Sequence, residues 1–197
     1  MINKSMKHIK SAKVFESGKG LFTPEELDEM SLSENPIHRR FVAMSDIALP
    51  ITLERLSEDP ELDVRVNVAD NPNSPEKALR RVYDEKDEDS GTMINKKLAR
   101  NPNTPVDILI DLSKHPFTIF RVAVAQNPSL PMEDLVRMLE DPNELVVETV
   151  KRALAEDTDT DPGILIDLSR DESESVRRRA KENPNLPDPT EWAFGDW

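Results

Sequence analysis

Phe120-Arg-Val-Ala-Val-Ala-Gln-Asn-Pro-Ser-Leu-Pro-Met-Glu-Asp-Leu135 is a second edition of Val64-Arg-Val-Asn-Val-Ala-Asp-Asn-Pro-Asn-Ser-Pro-Glu-Lys-Ala-Leu79. Each string joins an apolar segment, a proline-bounded turn and the start of another apolar segment. The turn recurs as Asn101-Pro-Asn-Thr-Pro105 and Asn183-Pro-Asn-Leu-Pro187, with degenerate forms at Asp46-Ile-Ala-Leu-Pro50, Asp157-Thr-Asp-Thr-Asp161 and Gly20-Leu-Phe-Thr-Pro24. The fifth positions fall at 24, 50, 75, 105, 131, 161 and 187, at intervals of 26, 25, 30, 26, 30 and 26. A period in this range marks a solenoid of stacked units, each too small to bury its own apolar face. Six units fit, and a seventh begins at Pro187.

Within each unit the apolar spacing is helical. Thr23, Ser74 and Thr104 precede prolines, which reads as an N-cap followed by proline at the first helical position. Leu27/Met30, Leu53/Leu56, Leu79/Val82, Ile108/Leu109/Leu112, Leu135/Met138/Leu139 and Ile164/Leu165/Leu168 then fall on one helix face. Pro36, Pro60, Pro116 and Pro142 end that helix. A second segment follows, at 38–44, 64–69, 94–99, 120–125, 150–155 and 176–180. Val64, Val66 and Val68 alternate as in a strand, but the equivalents with Lys-Lys or Arg-Arg-Arg do not, so a short α- or 3-10 helix is expected. The two 30-residue units are read differently: 84–91 as an acidic solvated loop, 143–156 as a second helix longer by about a turn.

The string Val-Arg-x-x-Val-Ala-x-Asn-Pro-x-[Ser/Thr/Leu]-Pro-x-x-x-Leu resembles the leucine-rich repeat variant repeat. It spans roughly residues 21–187, most clearly at 64–79 and 120–135. The resemblance implies an all-α, right-handed solenoid of alternating α- and 3-10 helices, related in outline to HEAT and armadillo repeats. It carries over no catalytic residue, because the motif is structural. Some members hold an iron–sulfur cluster in a cysteine-bearing N-terminal region. This chain has no cysteine, so that cofactor is excluded, and no other cofactor is expected.

Composition narrows the function. The 197 residues carry a net charge of −13 and 33% charged residues, without a run of the roughly 18 apolar residues a membrane helix needs. A cytoplasmic protein is expected. Disulfides, thiolate catalysis and cysteine-ligated zinc are excluded. No glycine-rich phosphate loop, His-x-x-x-His or Gly-x-Ser-x-Gly occurs, and His8, His38 and His115 fall in different units. Asp157-Thr-Asp-Thr-Asp161 echoes a calcium loop, but Pro162 and Leu168 stand where that loop needs glycine and glutamate. The chain reads as a non-enzymatic scaffold.

Three features are candidates for partner binding. The second helices hold 13 of the 26 cations, among them Arg39, Arg40, Arg65, Lys96, Lys97, Arg121, Lys151, Arg152, Arg177, Arg178 and Arg179. Arg40, Arg65, Arg121, Lys151 and Arg177 are read as one aligned position, with Asn95 the exception. They form either a ladder that pairs with acids of the preceding turn (Asp63, Glu144, Glu174) and with loop carbonyls, or part of a phosphate-binding face. Residues 1–20, a basic arm, net +4, leaving −17 on the rest. Such an arm either touches an anionic surface or folds back on the acidic body. Residues 188–197 hold Trp192, Phe194 and Trp197, read either as a cap over the last unit or as a recognition peptide. Another protein is the expected partner. Nucleic acid is disfavoured by charge, and an acidic decoy for a nucleic-acid-binding protein is a third reading.

Overall fold

The computed structural model describes residues 22–83 and 88–188. The basic arm, residues 84–87 and the three tail aromatics Trp192, Phe194 and Trp197 lie outside the described residues.

Twelve α-helices are described: α1 Pro24–Met30, α2 Pro36–Ala43, α3 Pro50–Leu56, α4 Leu62–Asp70, α5 Glu76–Tyr83, α6 Glu88–Leu98, α7 Val106–Leu112, α8 Thr118–Ala125, α9 Met132–Arg137, α10 Glu144–Glu156, α11 Pro162–Leu168 and α12 Glu174–Glu182. They pair into six units, one odd-numbered and one even-numbered helix each. The even helices pack on one another in chain order, α2 to α4 through α12, and each odd helix packs on its own even partner. The molecule is an all-helical solenoid. No described helix is long and apolar enough to cross a membrane.

Both segments of a unit are α-helical, so the alternation with 3-10 helix implied by the resemblance does not occur. Among the described residues, 3-10 helix is confined to Met138–Glu140, at the end of α9. The valine alternation is helical, with Val64, Val66 and Val68 all buried, and residues four apart form its most enclosed seam. Val64 and Val68, one helical turn apart, are sealed, as are Ile94 and Leu98, Phe120 and Val124, Val150 and Leu154, and Val176 and Ala180. The odd helices contribute Leu27, Leu53, Leu79, Leu109, Leu135 and Leu165, each on the fourth residue after the helix cap. Each such leucine stabilises the stack by about 1.5–3 kcal/mol.

The period is more regular than the prolines suggest. The odd helices are capped by Thr23, Leu49, Pro75, Pro105, Pro131 and Asp161. Their intervals are 26, 26, 30, 26 and 30. The apparent 25 arose because Pro24 and Pro50 are first helical residues, whereas Pro75, Pro105 and Pro131 stand one place earlier. Only Thr23 of the three expected hydroxyl caps acts as one, in a reciprocal box with Glu26. Ser74 and Thr104 instead donate backwards, to Val68 O at 2.6 Å and Leu98 O at 2.7 Å, and close the helix before them. A cap position held by proline leaves them no helix to start.

Both 30-residue units lengthen the even helix. Helix α10 has 13 residues, as expected, and α6 has 11, against eight or nine in the others. Residues 88–91 are therefore the start of α6 rather than part of an acidic loop.

Candidate partner-binding surface

A thin solenoid exposes backbone at every junction, and two polar ladders close it. The first is built on the turn asparagines. Asn71 Nδ2 donates to Ala43 O and Ser45 O, both at 2.8 Å. Asn101 reaches Ala69 O and Asn71 O, Asn127 reaches Ala99 O and Asn101 O, and Asn183 reaches Ala155 O and Asp157 O, all at 2.8–3.1 Å. Each Oδ1 meanwhile accepts the N–H two residues on, at 2.9 Å. The asparagines do tie off their turn, as the motif suggests. Their amide nitrogens, however, stitch to the unit before, a contact that exists only once units stack.

The second ladder is cationic. Arg39 Nη1 donates to the carbonyls of Ser33 and Glu34, Arg65 to Asp59 and Pro60, Arg121 to His115 and Pro116, and Arg177 to Asp171 and Glu172. The repeated position is thus Arg39, not Arg40, one residue earlier than the sequence alignment set it. Arg40 instead meets Asp63 at 3.3 Å with both side chains exposed. The acid partners also differ from expectation. Arg39 pairs with Asp59 at 2.5 Å, Arg121 with Asp141 at 2.6 Å and Lys151 with Asp171 at 2.6 Å, in each case 20 residues ahead, in the following unit. A guanidinium facing both a turn's carbonyls and the next turn's carboxylate satisfies three acceptors at once.

The two arginine pairs are shielded: the Arg121 and Asp141 side chains are 11% and 7% exposed. The hydrogen bond from Arg121 holds the Asp141 carboxyl below its usual range, and the pairing with Asp141 raises Arg121. Burial works against Asp171, yet Lys151 and the Ser173 N–H bring its pKa down. Arg39 is raised by its bond to Asp59.

Most of the remaining predicted cations are engaged as well. Lys97 pairs with Asp70 at 2.7 Å, Arg152 with Glu148 at 2.7 Å, and Arg179 with Glu156. Lys96 and Arg178 are exposed. Among the described residues, the predicted cations are mostly divided among separate ion pairs and turn carbonyls. Two of the three carboxylates of the calcium-like segment are likewise committed to backbone. Asp157 accepts from Asp159 N and Asp161 from Gly163 N, both at 2.8 Å.

A row that sequence reading missed lies where the odd helix turns into the even one. Ile37, Ile119 and Leu145 are each the second residue of an even helix, and they are 58%, 51% and 58% exposed. Phe117 beside Ile119 is 58% exposed, and Leu32 precedes Ile37 in the same edge of the first unit. Phe117 is held by its neighbours: His115 lies edge-on to Phe120 at 4.4 Å and tilted to Phe117 at 5.4 Å. The Phe117 N–H donates to His115 Nδ1 at 3.1 Å. Apolar residues at helix positions two from the cap carry no core periodicity, so nothing in the sequence separates them from ordinary surface.

Serines form another unread repeat. Ser31, Ser57, Ser113 and Ser169 follow the odd helices and donate to the carbonyls three residues back, at 2.6–2.7 Å. They close helix ends and offer nothing to a partner. A shallow cavity of about 290 Å³ lies between the third and fourth units, lined by Arg80, Tyr83, Asp107, Ile108 and Asp111. Its polar groups are engaged with each other: Arg80 grips Asp107 at 2.7 and 3.0 Å, and Tyr83 donates to Asp111.

No family model matches this chain, and no curated protein matches it. A solved structure described as a leucine-rich repeat variant with a novel repetitive protein structural motif is similar to it, at 24% identity and a TM-score of 0.47, over 82% of this chain and 61% of that one. This chain thus spans about three fifths of that protein's length. The solenoid assignment rests on the helices and ladders described above.

Proposed function

We propose that the chain is a non-enzymatic repeat scaffold that binds another protein. The observation that carries this reading is the turn-edge row. Phe117, Ile119 and Leu145 stay in water on two adjacent units although every unit has a buried face available. Exposed apolar groups that cluster with polar neighbours mark protein contacts more often than ordinary surface. A nucleic-acid face would need the opposite: free cations in register. Here Arg39, Arg121 and Lys151 are spent on junction carboxylates, and Arg65 and Arg177 on turn carbonyls.

The test is capture from native lysate by the full chain, with and without nuclease, at about 150 mM salt, where charges beyond about 8 Å are screened. Protein partners retained after nuclease are the expected result. Loss of all partners on nuclease treatment transfers the function to nucleic acid, whose contacts fall steeply with salt.

A further inference from the structure

The turn edge of units four to six combines two kinds of group. Its apolar members are Phe117, Ile119 and Leu145, carried on the starts of α8 and α10, which pack side by side. Even helices that pack directly stand about 8–10 Å apart; Ile119 stands one residue before Phe120 and Leu145 five residues before its counterpart Val150, so Leu145 lies about one helical turn further out along the edge. An amphipathic helix laid across them would present one anchor per turn or two to each. Around the anchors the exposed charges are mainly negative. Glu140 and Glu144 flank Leu145, and Glu172 and Glu174 occupy the same edge one unit on, all exposed. Asp141 and Asp171 are taken by Arg121 and Lys151. Against these stand Lys114 and Arg170, both exposed.

Glu144 and Glu174 complement the N-termini of α10 and α12, which accounts for their presence structurally. That role does not extend to Glu140 or Glu172, which lie outside the first helical turn. The apolar anchors have no structural role of comparable weight, because a side chain half in water contributes little to folding.

We infer that this edge docks a basic, amphipathic segment of a partner protein: apolar side chains seat on Phe117, Ile119 and Leu145, and lysines or arginines face Glu140, Glu144, Glu172 and Glu174. The inference rests on the protein-binding reading and adds the chemistry of the partner. Apolar anchors supply affinity, and the acidic surround supplies orientation and on-rate. The whole-chain charge of −13 favours the same class of partner at long range.

The experiment uses a displayed library of random 16-residue peptides selected against the full chain. Selected peptides are then measured against the wild type, a Phe117→Ser/Ile119→Ser/Leu145→Ser variant and a variant with glutamine at Glu140, Glu144, Glu172 and Glu174. The substituted side chains are exposed, and matching circular dichroism confirms that each variant folds. The expected outcome is enrichment of peptides rich in lysine or arginine with leucine or aromatic residues. Affinity should fall at least tenfold in the serine variant and severalfold, with a flatter salt dependence, in the glutamine variant. Peptides that bind the serine variant as tightly as the wild type overturn the docking edge and leave the protein-binding reading standing. No enrichment from the library, together with no nuclease-resistant partner in lysate, overturns both. A wild type that sediments as a dimer, with a monomeric serine variant, shows that a second copy of the chain occupies the edge, and the inference fails.

Discussion

The junction between units three and four and the junction between units four and five are closed by different halves of the same device. Between three and four the amide stitch is present, Asn127 reaching Ala99 O and Asn101 O. The cation position there is Asn95, and 20 residues ahead stands His115 instead of a carboxylate. Between four and five the reverse holds. Arg121 and Asp141 form the shielded ion pair, but the turn carries Asp157, which has no amide to donate. The consequence is visible in burial: Asn71, Asn101, Asn127 and Asn183 are 3–7% exposed, whereas Asp157 is exposed. A carboxylate aimed at the carbonyls of Ala125 and Asn127 would place negative charge against acceptors; Asp157 keeps only the bond from the Asp159 N–H and is left exposed. The first and fifth junctions have both halves, Asn71 with Arg39–Asp59 and Asn183 with Lys151–Asp171. One half of this device therefore suffices to hold a junction, and at these two its other half is absent.

The ion pair that stands alone should be the most sensitive of the polar junction contacts. Arg121→Met leaves Asp141 uncompensated and frees the His115 and Pro116 carbonyls. Breaking a deeply buried pair costs about 3–5 kcal/mol. This one sits just under the surface of a single-layer stack, where water remains close, so about 2–3 kcal/mol is expected. Denaturant unfolding measures it, and a cost no larger than that of Arg40→Met would show that the pair is decorative. Arg40, exposed beside Asp63, should cost under about 1 kcal/mol.

Next in size is the stitch that stands alone on the other side. Asn127→Ala removes two donated bonds and leaves the Ala99 and Asn101 carbonyls buried without that partner, for about 2 kcal/mol. Asn71→Ala, at a junction with its own ion pair, should cost less. Equal losses at the two sites would mean that the halves do not back each other up. The opposite change sharpens the comparison: Asp157→Asn should turn inward, donate to the Ala125 and Asn127 carbonyls and raise stability by about 1 kcal/mol. A melting temperature equal to or below that of the wild type would show that the turn cannot reach those carbonyls.

What the sequence made readable, and what it hid, divides along the same line. Periodicity is local, so Leu53/Leu56 and Leu109/Leu112 announce their helix face within one turn, and the solenoid follows. The register slipped by one at Pro50 and at Arg40 because proline serves two adjacent cap positions and the first unit has two neighbouring arginines. Partners 20 residues apart, such as Arg121 and Asp141, are a fact of stacking and are not legible in either segment alone. The same holds for Asn127 and the Ala99 carbonyl 28 residues earlier. For the docking edge, only burial distinguishes Ile119, half in water, from Phe120, sealed in the core.

The smallest effect tests whether His115 is a neutral stand-in for the missing carboxylate. Its Nδ1 accepts the Phe117 N–H, which an imidazolium cannot do, since both ring nitrogens are then donors. Burial lowers its pKa below 6.5, and nearby Arg121 acts in the same direction, while Asp111 opposes them. In the unfolded chain the ring takes its proton near pH 6.5. Below that pH the unfolded state binds more protons than the folded one, so stability falls as pH falls and is fully retained above about pH 6.5. Stability measured between pH 7.5 and 5 should therefore show a modest downward slope that vanishes in His115→Asn. Replacing the neutral pair by a charged one, Asn95→Arg with His115→Asp, should abolish the slope and supply the third junction with an ion pair like Arg121–Asp141. Each single change leaves one charge without its partner, so the double variant should exceed the sum of the singles by about 0.5–1 kcal/mol. Additive singles would show that α6 and α8, which touch less extensively than the other neighbouring even helices, stand too far apart at this junction for the pair to close.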